Sequence, residues 1–96
     1  MNEKSAENTS VTAGSASRVD RQLDVTGALC PEPAIRTRAM LASMSAGERL
    51  EVVATDPLAE VDLTILCDQT GHHFESCRSD GDKLHILIRA GLGSNR

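Results

Sequence analysis

Apolar residues recur along the chain with two spacings: every second residue, as in strands, and every third or fourth residue, as in helices. Segments with the first spacing alternate with segments that have the second. The strand repeat occurs in four segments: residues 19–25, 49–55, 73–78 and 84–89. The last two flank Ser79-Asp80-Gly81-Asp82, whose residues tolerate the backbone angles of a tight turn. These two segments and the turn between them therefore predict an antiparallel hairpin.

Two helices are predicted between these strands. The first is expected to run from about Pro31 to Ser45, with an apolar stripe of Ile35, Ala39, Met40 and Met44. The second follows the start signal Asp56-Pro57 and ends near Gly71, with a stripe of Leu58, Val61, Ile65 and Leu66. The order βαβαββ predicts an α+β fold, a two-layer sandwich in which both helices cover one face of a four-stranded mixed sheet.

Composition restricts the classes of function. The chain has 96 residues, 40% hydrophobic content and a net charge of −4, which predicts one small domain over residues 18–92 after a flexible, polar tail at residues 1–17. Its acidity and its single aromatic residue, Phe74, argue against direct nucleic-acid binding. No apolar run approaches the roughly 20 residues that span a bilayer, and residues 1–5 lack a secretory signal pattern. We expect a cytoplasmic protein without a membrane-spanning segment.

Cys30 lies where the first strand segment gives way to the first helix. Pro31 is well tolerated at the first helical position, which predicts Cys30 as the N-cap residue. The amides and the positive end of the helix dipole would then face the sulfur, lower its pKa and make it a nucleophile at neutral pH. The competing interpretation is a small buried residue without chemistry, and the local pattern leaves both open.

Cys67 and Cys77 complete an odd set of three cysteines, which in a reducing compartment favours free thiols over disulfides. Both are expected to be buried. A metal site formed with His72 and His73 is a weaker alternative, because the spacing matches no standard zinc pattern. His85 is expected to be a surface or hairpin residue, and no metal or cofactor is predicted.

Several residues together resemble the TusA/SirA-like sulfur-carrier family over about residues 19–91. They are Leu23-Asp24, Gly27, Leu29-Cys30-Pro31-Glu32-Pro33, Gly47-Glu48, Leu50, Asp56-Pro57 and Asp62. Cys-Pro-x-Pro at the start of the first helix is that family's defining motif. The resemblance implies a βαβαββ fold and a persulfide carried on Cys30. A cysteine desulfurase or another persulfide donor would supply the sulfur, and an acceptor protein in tRNA thiolation, molybdenum cofactor assembly or sulfur oxidation would receive it.

Other residues of the motif region have supporting roles in this interpretation. Pro31, Glu32 and Pro33 are expected to stabilise the helix start, and Arg38 is either a contact for an acidic partner or part of a solvated helix face. Many relatives carry a basic residue before the aspartate of the second helix, where this chain has Val61. The carrier is expected to be a monomer. The rival class is a small regulatory or protein-interaction module without sulfur transfer.

Overall fold

The computed structural model describes residues 19–91, and the predicted tail at residues 1–17 lies outside them. The elements in chain order are β1 (Arg21–Val25), α1 (Glu32–Ala42), β2 (Arg49–Ala54), α2 (Ala59–Thr70), β3 (His73–Asp80) and β4 (Lys83–Arg89). The strands form one sheet in the order β1-β2-β4-β3, in which β1 is parallel to β2 and the other pairs are antiparallel. The predicted two-layer α+β fold with a mixed sheet is confirmed.

The hydrophobic core lies between the helices and one face of the sheet. Its fully buried members include Val25, Leu41, Leu50, Val52, Leu63, Ile86 and Ile88. Because alternate residues of a strand point to opposite faces, the intervening positions lie on the other face of the sheet. There the Glu75 carboxylate accepts hydrogen bonds from Arg49 Nε at 2.7 Å and Arg89 Nε at 3.0 Å. One face of the sheet is therefore apolar and covered by the helices, whereas the other carries charged side chains together with Val53 and Leu87.

Helix α1 buries a different face from the one that the spacing predicts. Its buried residues are Pro33, Thr37 and Leu41. Met44, just beyond the helix, is also buried, but Ile35 is 58% exposed and Ala39 is exposed. The helix also ends at Ala42 and not near Ser45. The predicted stripe is correct for Met44 and for the partly buried Met40, which packs against the core, but wrong for Ile35 and Ala39. This helix carries apolar residues on more than one side, and only the packed structure selects the buried side.

The same shift occurs in α2. Its buried residues are Ala59, Leu63, Leu66 and Cys67. The predicted stripe is correct for Leu66 only, because Leu58, Val61 and Ile65 are each about half exposed or more. Neither helix within residues 19–91 is long and apolar enough to cross a membrane.

The end of α2 is joined to the end of the described chain. Gly71 closes the helix with φ 82°, a left-handed conformation that favours glycine, and its N–H donates to the Cys67 carbonyl oxygen at 3.0 Å. His72, only 7% exposed, follows, and its Nδ1 accepts a hydrogen bond from the Gly91 N–H at 3.0 Å. A Cβ atom at residue 91 would lie 2.0 Å from the Gly71 carbonyl oxygen, so glycine is required for this close approach.

The buried His72 predicts a loss of stability in mild acid. Burial, with a smaller contribution from His73, lowers the pKa of His72 below its usual 6.5. The unfolded state therefore binds a proton first, and the free energy of unfolding should decline as the pH falls from about 6.5 toward the lowered pKa. Above about pH 6.5 this contribution is complete. Urea unfolding of the full chain at about pH 7.5 and about pH 5.5 measures the difference.

Two variants separate His72 from other acid-sensitive groups. His72→Ala should lose about 1 kcal/mol at pH 7.5 with its hydrogen bond, and should show a smaller pH dependence than the wild type. His73→Gln is the matched control, because His73 is exposed, and it should retain most of the wild-type pH dependence. An unchanged pH dependence in His72→Ala would contradict this assignment.

Candidate functional site

Cys30 lies in the loop between β1 and α1, and its side chain is exposed. The Cys30-Pro31 peptide bond is cis, and the helix begins at Glu32 with Pro31 in the N-cap position. The Glu32 N–H donates to the Leu29 carbonyl oxygen at 2.8 Å, which forms a turn immediately before the helix. The predicted N-cap position of Cys30 is therefore wrong by one residue. No side chain forms an N-cap hydrogen bond to this helix.

Asp56 holds the Cys30 loop in place from the other side of the site. Its Oδ2 atom accepts the Cys30 backbone N–H at 2.5 Å, and its Oδ1 atom accepts the Leu58 N–H at 3.0 Å. The side chain is only 5% exposed. The start signal Asp56-Pro57 predicted Asp56 as the N-cap residue of the second helix. This prediction is wrong by two residues, because the helix begins at Ala59 with Leu58 as its N-cap and no side chain forms a cap hydrogen bond there. The bond to Cys30 was missed, because nothing local indicates a contact between residues 26 positions apart.

A second hydrogen bond joins the same two loops. The Gly27 N–H donates to Thr55 Oγ1 at 2.9 Å. The loop that follows β1 is thus tied to the loop that follows β2 at two points. Because β1 and β2 are parallel neighbours, their carboxyl ends meet at one edge of the sheet, and both loops lie there. This explains how Asp56 comes to face Cys30.

Cys30 borders a groove between α1 and α2 with a volume of about 260 Å³. The lining residues are Cys30, Pro31, Ala34, Ile35, Arg38, Asp62, Ile65, Leu66 and Gln69. The groove thus brings Cys30 together with Arg38, which the sequence had singled out. It also contains Asp62, which the sequence had noted only as part of the family pattern. Asp62 is half-buried and lies in the first turn of α2.

The surroundings of Cys30 raise the pKa of its thiol. The largest cause is a hydrogen bond to the Asp62 side chain, followed by partial removal from water and then by the negative charges of Asp62 and Asp56. The predicted lowering of this pKa is wrong for the isolated chain. The sulfur does not cap α1, and the nearest charged groups are carboxylates.

Glu32, Pro33 and Arg38 occupy three different environments on α1. Glu32 Oε2 accepts a hydrogen bond from Arg36 Nε at 3.1 Å, a half-exposed ion pair of the kind that contributes only a few tenths of a kcal/mol. Pro33 is buried and packs at the start of the helix. Arg38 is exposed, lines the groove and forms no ion pair with another residue in the range 19–91. The position of Arg38 fits both interpretations that the sequence left open, a contact for an acidic partner and a residue on a solvated helix face.

Exposed apolar side chains gather around this site. We call them the apolar collar, which consists of Leu29, Ile35, Leu58, Val61 and Ile65, each between 49% and 71% exposed. Ile35 and Ile65 line the groove, Leu29 precedes Cys30, and the others lie at the start of α2. Of the large apolar side chains exposed in residues 19–91, only Val19 lies elsewhere. Clustered exposure of this kind is typical of a surface that binds another protein.

The two other cysteines lie away from this surface. Cys67 is 3% exposed, and burial raises the pKa of its thiol to about 11. Cys77 is half-buried, and its pKa is raised by burial first and by Glu60 second. The expected burial is thus confirmed for Cys67 and partial for Cys77. Across the described part of the chain, no three His, Cys, Asp or Glu side chains are grouped so that they could hold a metal ion.

Known proteins resemble this chain over most of its described residues. The family model described as Sulfurtransferase TusA matches residues 21–90. The Sulfur carrier protein TusA of Allochromatium vinosum is 39% identical over 70 residues, which cover 73% of this chain and 92% of that protein. Bacillus subtilis YrkI is 38% identical over 72 residues, 75% of this chain and 96% of that protein. The crystal structure of a SirA-like protein from Desulfitobacterium hafniense superposes with a TM-score of 0.66 at 26% identity, covering 74% of this chain and 97% of that one.

Proposed function

Because this chain belongs to the TusA sulfurtransferase family, which gives it a role in sulfur transfer, we propose that Cys30 carries the sulfur as a persulfide. In the first step the Cys30 thiolate attacks the outer sulfur of a donor persulfide. A new S–S bond forms on Cys30, the donor S–S bond breaks, and the donor thiolate leaves. In the second step an acceptor thiolate attacks the outer sulfur on Cys30, and Cys30 leaves as the thiolate. Neither step needs an external oxidant or reductant.

The observation that carries this proposal is the exposure of one motif cysteine beside an apolar collar. Sulfur exchange between proteins requires each attacking sulfur to reach the other, which an exposed loop cysteine permits. Cys67 is too buried for such contact, and its raised pKa opposes thiolate formation. The collar supplies apolar area for a partner, while the groove leaves space beside the sulfur. Pro31, Glu32 and Pro33 then support the loop that presents Cys30.

The proposed partners are proteins on both sides of the transfer. A cysteine desulfurase or another persulfide donor loads Cys30, and a downstream acceptor protein unloads it in tRNA thiolation, molybdenum cofactor assembly or sulfur oxidation. The carrier acts as a monomer, because the collar must be free for each partner in turn. A reducing compartment such as the cytoplasm keeps the thiol available. The second candidate is a regulatory or interaction module that uses the same collar for docking without carrying sulfur.

Loading by a desulfurase distinguishes these two functions. The full chain is incubated with a purified cysteine desulfurase and cysteine, alkylated, and digested with trypsin. Cleavage after Arg21 and Arg36 isolates Cys30 in the peptide 22–36, whereas Cys67 and Cys77 share the peptide 50–78. We expect one additional sulfur atom in peptide 22–36 that dithiothreitol removes. A desulfurase that binds the chain without adding sulfur would favour the regulatory module.

A further inference from the structure

Asp62 and Cys30 line the same groove between α1 and α2. Asp62 lies in the first turn of α2 and is half-buried, so its carboxylate borders the same space as the Cys30 thiol. Asp56 acts on a different part of the same residue, because its carboxylate binds the Cys30 backbone N–H at 2.5 Å. Two carboxylates from the region around the start of α2 therefore lie near Cys30: Asp56 binds its backbone, and Asp62 borders the groove that its side chain lines.

The charged groups of α1 do not neutralise Asp62. Glu32 and Arg36 pair with each other at 3.1 Å. Arg38 lines the groove but lies beyond ion-pair distance of Asp62, since no such pair occurs in the described residues. Gln69 is the other polar side chain of the lining on α2, and it carries no charge. The groove thus presents a carboxylate beside the sulfur without a close cation.

We propose that Asp62 is a positioning residue that keeps the Cys30 thiol protonated in the free carrier and selects partners that bring a positive charge beside the transferable sulfur. The inference rests on the proposed carrier role of Cys30. A thiol beside a carboxylate that no cation neutralises loses its proton less readily, so the unbound carrier resists alkylation and oxidation. A partner cation that pairs with Asp62 removes the carboxylate from the thiol. The thiol proton then passes to water, and the thiolate attacks the outer sulfur of the donor persulfide.

The pKa of Cys30 is raised above its usual value, and Asp62 is the largest cause. This direction agrees with a role for Asp62 in keeping the thiol protonated. Asp56 also raises it, through charge alone. Replacing Asp62 by asparagine removes the charge but keeps the size of the side chain. The titration midpoint of Cys30 should then move to lower pH. An aspartate-to-asparagine substitution at an exposed position of α2 should leave that midpoint unchanged.

The first test is the pH profile of Cys30 alkylation by iodoacetamide, measured on the full chain by the mass of peptide 22–36. We expect Asp62→Asn to move the midpoint to lower pH. A midpoint lower by about one pH unit raises the thiolate fraction at neutral pH about tenfold and lowers the thiolate nucleophilicity about threefold, so the rate rises about threefold. Asp68→Asn is the matched control, because Asp68 is exposed on the same helix and lies outside the groove lining. An Asp62→Asn midpoint equal to that of the wild type would overturn the proposal.

The second test concerns the selection of positive charge. Cystamine, a dicationic disulfide, and hydroxyethyl disulfide, a neutral one, each react with the Cys30 thiolate to form a mixed disulfide and release one thiolate. The ratio of the two rates should be several-fold higher for the wild type and Asp68→Asn than for Asp62→Asn, and the excess should diminish at high salt. Because the ratio compares two probes on one protein, a general loss of structure changes it little. Equal ratios in all three proteins would overturn the proposal.

These tests are independent of the carrier function itself. They use small reagents, so they read the Cys30 environment whether or not a desulfurase loads it. If both tests failed while Cys30 loaded normally, Asp62 would have no positioning role, and the carrier role of Cys30 would be unaffected. Absence of loading with a lower midpoint in Asp62→Asn would remove the carrier role and leave the contact between Asp62 and Cys30. Circular dichroism of each variant establishes that the fold is retained.

Discussion

Replacing Cys30 with serine is expected to abolish sulfur loading, the largest functional effect that the structure predicts. A serine hydroxyl occupies nearly the same space but cannot form a persulfide, so the loop and its contacts are retained while the sulfur-accepting atom is lost. The Asp56 bond should survive, because it uses the backbone N–H of residue 30 and not the side chain. Mass spectrometry after incubation with a desulfurase and cysteine should find no added sulfur in this variant.

The remaining cysteines supply the matched controls. Cys67→Ser and Cys77→Ser each remove a thiol and leave Cys30 unchanged, and both should load as the wild type does. Cys67→Ser places a hydroxyl in a site that is 3% exposed, so its stability must be measured alongside. Cys67→Ala is the second variant if the serine form unfolds. Loading that persists in Cys30→Ser, or that is lost in Cys77→Ser alone, would contradict the assignment of Cys30.

Replacing Asp56 with alanine is expected to produce the largest combined effect on stability and loading. The variant loses the acceptors for the Cys30 and Leu58 amides, both of which bind a side chain that is 5% exposed. Hydrogen bonds to a charged group contribute about 1.5–3 kcal/mol each, and because the two bonds are coupled we expect a loss of about 3 kcal/mol in the free energy of unfolding. Urea unfolding measures this loss, and the initial rate of sulfur loading should fall as the Cys30 loop loses its attachment.

Asp56→Asn separates the loop contact from the helix contact. The side-chain oxygen of asparagine can still accept the Leu58 N–H, but its NH₂ group then faces the Cys30 N–H. Two donors face each other there, so the hydrogen bond to Cys30 is lost. Loading should therefore fall more than stability does. Glu48→Ala is a control for a carboxylate that binds backbone elsewhere, since Glu48 Oε1 accepts the Ser45 N–H at 2.8 Å. If Asp56→Asn loaded as fast as the wild type, Asp56 would have no role in presenting Cys30.

The architecture was predictable because strand repeats and turn residues are local signals. The segments that became β2 and β4 alternate clearly, and the turn around Gly81 marks the hairpin between β3 and β4. Strand ends were less certain, since β3 continues to Asp80 and includes residues assigned to the turn. Such ends depend on pairing with the neighbouring strand, here Asp80 with Lys83, which a single segment does not reveal.

The buried faces of the helices were harder to predict because each helix carries apolar residues on two sides. In an ordinary amphipathic helix the apolar residues face the core, so Ile35, Val61 and Ile65 were assigned to it. In this fold they belong to the apolar collar, while smaller or polar residues such as Thr37 are buried in their place. A protein-binding face adds a second apolar side to a helix, and periodicity alone cannot tell it from the first.

The sequence singled out Cys30 from a few adjacent residues, but it could not predict the electrostatics around that residue. The carboxylates of Asp56 and Asp62 reach it from a loop and a helix more than 25 positions along the chain, so their effect on the thiol depends on the tertiary fold. The helix start suggested an activated thiolate, whereas the folded chain surrounds the thiol with negative charge. Under the proposed role of Asp62, activation depends on the positive charge that a partner brings to the site.

The most direct test of the central claim is a complete transfer on one sample. The full chain is loaded by a desulfurase and cysteine, separated from both, and then exposed to a purified acceptor protein of a sulfur-transfer pathway. We expect the sulfur atom found on peptide 22–36 after loading to disappear as an equal amount appears on the acceptor. A chain that gains no sulfur at Cys30, or that keeps it with every acceptor and small thiol supplied, would contradict the account.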